Sequence, residues 1–162
     1  MTTFDEIRAL AKLPEKSVEV CFRGDLQAEY EGLERELRRA KAASLGTLAG
    51  TSEDAKAIEE LMAGLREQMR ESSRTFTLRA LPKKRWSDLH AQHKPRDEDR
   101  ANRLDYNGDT FPVAAVAACL IDPVLTVKEV EELVDEVLTQ GQWDDLFLAV
   151  FLVNKANVEI PT

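Results

Sequence analysis

Residues 17–40 read SVEVCFRGDLQAEYEGLERELRRA, and a change of rhythm within them decides the fold. Val18, Val20 and Phe22 alternate with Glu19, Cys21 and Arg23, the period of two expected of a strand with one face turned inward. Gly24 breaks the strand, and Asp25 is placed to cap a helix beginning beside it. From there the apolar positions become Leu26, Tyr30, Leu33, Leu37 and Ala40, a 4-3-4-3 spacing that forms the seam of a packed helix pair.

The rhythm then repeats. After SLGTLAG at 44–50, Thr51, Ser52 and Asp54 read as an N-terminal cap, and Ile58, Met62, Leu65 and Met69 carry the same spacing to about residue 74. Two helices of similar length with a short connection predict an antiparallel hairpin roughly 30 Å long. Where it returns, residues 75–81 (TFTLRAL) alternate again, with Phe76, Leu78 and Ala80 against Thr75, Thr77 and Arg79. A hairpin brings its ends together, so the two strands should pair and give a β-α-α-β unit. Two strands alone are marginal and have open edges, so Val18, Val20, Phe76 and Leu78 are the candidate self-association residues.

Around this unit the chain predicts helices. Residues 3–12 place Phe4, Ile7, Leu10 and Ala11 on one face, and Pro14 closes that helix. Pro82 can open a helix carrying Trp86, Leu89 and His90 that ends before Pro95. Residues 95–109, PRDEDRANRLDYNGD, are polar and turn-rich and read as a linker. Three helices come after it: one from Phe111 to Leu120 capped by Asp109 or Thr110, one opened by the capping box Thr126-x-x-Glu129 and stopped by Gly141, and one from Gln142 to about Lys155. The last is apolar nearly all round, with Trp143, Leu146, Phe147, Val150 and Phe151. The predicted class is mainly α (α+β), with a long helical hairpin and a two-stranded sheet in 1–94, a linker in 95–109 and an acidic C-terminal helical bundle in 110–162.

Composition narrows the function. The net charge of −8 is uneven: from Arg96 onward fourteen acidic residues face five basic ones, while the first 95 residues sum to about +1. The acidic half should repel nucleic-acid phosphates and anionic lipid, so neither nucleic acid nor membrane is an expected partner. The start MTTFDEIRAL lacks the features of a signal peptide, and the apolar runs at 112–121 and 146–153 fall short of the roughly 20 residues that span a bilayer. A cytoplasmic protein is expected. Cys21 and Cys119 lie in apolar surroundings without Cys-x-x-Cys spacing and read as buried thiols.

Chemical motifs are sparse. His90 and His93 share a helix face, but the chain contains no further histidine to complete a metal site. Gly46, Gly50 and Gly108 are isolated, so no phosphate loop is formed, and residues 105–109 (DYNGD) read as a turn rather than a calcium loop. No serine or cysteine lies in a nucleophile motif, and neither an enzyme nor a cofactor is expected. The basic run Lys83-Lys84-Arg85 reads as a solvated helix start or a partner for the acidic half, and Met62 and Met69 as seam residues.

One longer pattern remains. The series Arg79-Ala-Leu-Pro-Lys-Lys-Arg-Trp86-x-x-Leu89-x-x-x-His93-x-Pro95, Asn107 with Thr110-Phe111-Pro112, Asp122-Pro123, Gly141-Gln142-Trp143-x-x-Leu146-Phe147 and Asn154 resembles the tail assembly chaperones of long-tailed, siphovirus-type phages of actinobacteria. The resemblance rests on order and spacing from Arg79 onward and extends loosely to the hairpin. It implies a non-enzymatic protein of the infected host's cytoplasm that coats the tape-measure protein while the tail tube grows and is absent from the mature virion. It also implies self-association and a longer frameshifted form of the same chain, with an end at Thr162 suiting the short form. Aromatic side chains dominate binding hot spots, so Trp86, Leu89, His90, Trp143, Phe147 and Phe151 are the candidate partner-binding residues, with a plain core role as the competing reading. A structural head or tail subunit and a coiled-coil adaptor are the rival functions.

Overall fold

The structure, a computed structural model, describes residues 1–45 and 52–162. The loop at 46–50 and the side-chain cap expected from Thr51 and Ser52 lie outside the described residues. In chain order the elements are α1 (Phe4–Leu10), β1 (Glu15–Cys21), α2 (Gly24–Ser44), α3 (Ser52–Glu71), β2 (Ser73–Arg79), α4 (Lys83–Gln92), α5 (Asp97–Ala101), α6 (Phe111–Cys119), β3 (Leu120–Asp122), α7 (Val127–Glu136) and α8 (Gln140–Lys155). The expected mainly helical α+β class and the helical hairpin between two strands are present.

The sheet has three strands rather than two, in the order β1-β2-β3. Phe22 N donates to Ser72 O at 3.0 Å and Ala80 N to Pro14 O at 2.9 Å, which sets β1 antiparallel to β2. On its other side β2 pairs with β3, Thr77 opposite Asp122 and Leu78 opposite Leu120, with an irregularity between Thr77 and Leu78. The edge of β2 left open in the two-strand reading is therefore filled by the chain itself. Phe76, Leu78 and Val20 are buried and Val18 is half-buried, so the side chains expected to drive self-association belong mostly to the protein's own core.

The chain forms two compact units, residues 19–74 and residues 1–18 with 75–162. In the 19–74 unit α2 packs on α3. Leu26 and Met62 are buried there, but Tyr30, Leu33, Leu37, Ile58, Leu65 and Met69 are half-buried, because a helix pair alone has no third layer to cover its seam. Asp25 is not the cap of α2: Arg23 holds that position, and Asp25 in the first turn receives the Arg23 guanidinium through two 2.9 Å bonds.

In the other unit the core is built on α6, whose sequence FPVAAVAAC buries Phe111 to Val116 and Cys119. Its small residues let α4, α7 and α8 approach closely. The Thr126–Glu129 capping box forms as expected. A second box, Thr139 with Gln142, starts α8 two residues earlier than expected, so Gly141 lies in its first turn instead of stopping α7. Cys119 is buried, and burial raises its thiol pKa, whereas Cys21 is only half-buried.

The segment expected as a linker is tightly bonded. Asp99 is 4% exposed, and its carboxylate accepts from Arg96 N, Nε and Nη2 and from Gly108 N at 2.8–3.1 Å. After α5, Arg103 N donates to Arg100 O and Leu104 N to Asp99 O, the double bond pattern that closes a helix through a left-handed residue. Arg103 occupies that position with φ 62°, where glycine is usual. A side chain there costs about 1–2 kcal/mol and glycine's extra chain entropy recovers only part of it, so Arg103→Gly should stabilise the protein by about 0.5–1 kcal/mol in denaturant titration. An unchanged or lower midpoint counts against this account of the turn.

Candidate protein-binding surface

Phe111 opens α6 and is 1% exposed, while rings from three other segments converge on it. Trp86 and His90 of α4 meet it edge-on with centroids 5.5 and 5.2 Å away, Tyr106 lies at 4.9 Å, and Phe147 of α8 at 6.5 Å. Trp143 stacks on Phe147 at 6.5 Å, one helical turn back along α8. Edge-on contacts suit the ring quadrupole and fix each ring's orientation as well as its burial.

The structure therefore brings together four of the six candidate binding residues, Trp86, His90, Trp143 and Phe147, around a centre that the sequence marks only as a helix start. All four stay half-buried, so each serves the core with one side and leaves the other accessible. Leu89 is half-buried too and lines a neighbouring cleft. Phe151 stands apart on α8, 40% exposed, with the Lys155 ammonium 5.9 Å from its ring centre. Sequence reasoning places Tyr106 in the linker and misses its part in the cluster. Burial raises its phenol pKa, with Asp105 adding to the shift.

Both histidines also bond within the fold. His90 Nε2 lies 3.4 Å from Asp105, and His93 Nδ1 shares a 2.9 Å hydrogen bond with Thr110 Oγ1 that ties the end of α4 to the start of α6. Among the described residues no three His, Cys, Asp or Glu side chains converge as a metal site requires.

Two clefts border the aromatic centre. One, of about 590 Å³, has a floor of Ala114, Ala117 and Ala118 with walls from Leu89, Leu125 and Val127. The other, of about 640 Å³, combines Pro112, Val113, Val134 and Trp143 with the carboxylates of Asp109, Glu131 and Asp135. Asp109 is already paired with Arg96 Nη1 at 2.8 Å, so Glu131 and Asp135 give the cleft its negative charge beside Trp143. That chemistry accepts a cationic group against the ring and an aliphatic stem along the walls. Farther along α8, Leu148, Phe151 and Leu152 are 53%, 40% and 37% exposed and form a separate apolar stripe on another side of the helix. No family model, no curated protein and no solved structure matches the chain.

Proposed function

We propose that this protein is a non-enzymatic assembly chaperone of the phage-tail type, which binds the tape-measure protein while the tail tube grows. The observation that carries the reading is the acidic cleft beside Trp143, with a second apolar stripe of Leu148, Phe151 and Leu152 exposed on another side of α8. A client helix that is sticky before enclosure needs apolar contact to hold it and like charge on the complex to keep it dispersed. The cleft supplies the first through Trp143 and Val134, and the acidic C-terminal half supplies the second. On this reading the protein works in the infected host's cytoplasm and is absent from the finished particle.

The test is co-expression with the tape-measure protein followed by affinity capture and light scattering. A dispersed complex with several copies of this chain per tape-measure chain is the expected result. The double variant Trp143→Ala, Asp135→Lys should lose at least about tenfold in captured client, the weight of one good aromatic contact and one charge reversal. A tape-measure protein that precipitates regardless, or this chain persisting in purified particles, would favour the structural-subunit reading instead.

A further inference from the structure

Two features in different parts of the chain have no occupant. The first is α1. Its ends are well made, since Thr3 Oγ1 accepts from Glu6 N, Glu6 Oε2 accepts from Thr3 N, and the Arg8 guanidinium sits 5.1 Å from the Phe4 ring centre. Yet no residue of α1 is buried. Phe4, Ile7 and Leu10, which form one stripe at helical spacing, are 68%, 54% and 80% exposed. Seven residues are too few for a helix to persist in water by propensity alone, so α1 needs a surface for that stripe.

The second is a groove of about 480 Å³ along the hairpin between α2 and α3. Gly32 and Gly64 form its floor, Leu33, Leu61 and Leu65 its walls, and Glu29, Glu36 and Glu60 stand at its rim. Internal packing does not require either glycine: a Cβ at Gly64 would meet nothing within 4 Å, and one at Gly32 only the end of Arg35 at 3.8 Å. Each glycine costs its helix about 1 kcal/mol relative to alanine. Leu61 is 60% exposed on the groove wall.

We propose that α1 of a second copy of this chain docks in the groove. The lengths agree, since α1 and the Glu29-to-Glu36 side of the groove each run about 10 Å. The charges agree as well. Arg8 borders the apolar stripe beside Phe4 and Lys12 comes just after the helix, whereas Asp5 projects from the opposite side and Glu6 borders the stripe beside Leu10 with its carboxylate on Thr3 N. Arg8 and Lys12 thus meet a rim of three glutamates, while Ile7 and Leu10 enter over the glycines as the Arg35 guanidinium beside Gly32 swings aside. Such a contact is heterologous, helix of one copy to groove of the next, and it differs from a strand-edge association through Val18, Val20, Phe76 and Leu78. It stands or falls independently of the tail-chaperone reading.

The experiment uses the full chain and two variants chosen to stay folded. Gly64→Leu fills the groove where a Cβ has open space and should raise the melting temperature by replacing a mid-helix glycine. Ile7→Glu spoils the stripe on a helix that buries nothing. Sedimentation equilibrium should show the wild type associating with rising concentration and each variant remaining a monomer. Mixing the two variants should restore a 1:1 pair, because one still has the helix and the other the groove. A wild type that stays monomeric at millimolar concentration, variants that associate like wild type, or a mixture that does not pair would each overturn the proposal. So would a Gly64→Leu chain whose self-association is unchanged while tape-measure capture is lost, since that would assign the groove to a foreign helix.

Discussion

Replacing Phe111 with alanine is expected to remove about 3–5 kcal/mol of stability, the range for deleting a buried aromatic ring. That is a large share of the roughly 5–15 kcal/mol a domain has in total. The ring is 1% exposed, and Trp86, His90, Tyr106 and Phe147 all contact it. Collapse of neighbours into the space is limited because α6 around it is a run of Pro, Val and Ala that cannot extend to fill a ring-sized hole. Denaturant titration followed by tryptophan emission measures the effect, with Trp86 reporting directly on the lost contact. Phe151→Ala, at a residue 40% exposed, should stay within about 1 kcal/mol and serves as the control. Equal losses at the two positions would mean that Phe111 is not the centre of the core.

Asp99→Asn should also destabilise the protein, with a melting temperature lower by roughly 5 °C at neutral pH. The amide keeps the shape of the carboxylate but removes the charge that holds Arg96, and one of its two ends offers hydrogens where the carboxylate accepts from Arg96 and Gly108. The bidentate Arg96 contact, the backbone bonds from Arg96 and Gly108, and the nearby positive charge hold the Asp99 carboxyl far below its ordinary range, with burial opposing the shift. Because the folded-state pKa is depressed, the stabilisation is fully present above the unfolded value near 4 and is lost as pH falls from there toward the folded value. The gap between wild type and Asp99→Asn should therefore narrow as the protein is acidified below about pH 4. Gly108→Ala offers a second route to the same site, since its Cβ would lie 3.2 Å from Asp99 Oδ1 and 3.1 Å from Leu104 Cδ1. A pH-independent gap would show that the ionised carboxylate is not what holds the segment.

This knot also shows where reading the sequence stops. Residues 95–109 look like a linker because charge and turn residues dominate, and composition is blind to a carboxylate folding back on the arginine three residues before it. The strands and the hairpin are legible because their periods, two and then three and four, persist over many residues. Strand β3 is not: three residues at the end of an apolar helical run carry no period of their own, and only pairing with β2 makes them a strand. At the candidate site the aromatic residues are visible but their common centre is not, since Phe111 gains its role from α4, α8 and Tyr106 meeting across long separations. The one pointer to it is that Phe111 is the single aromatic side chain in the apolar run 111–121.

Helices α2 and α3 leave β1 and return to β2 as one antiparallel excursion, and the strand bonds close it at Phe22 and Ser72. That closure leaves the arm free to evolve in length. Adding or deleting a matched heptad in both helices returns the chain to the same pair of residues, so the helix pair can lengthen or shorten among descendants without disturbing the strand pairing at its base. A change in one helix alone has no such freedom, because it shifts every seam residue against its partner. Homologous chains should therefore differ in this region by paired insertions and deletions.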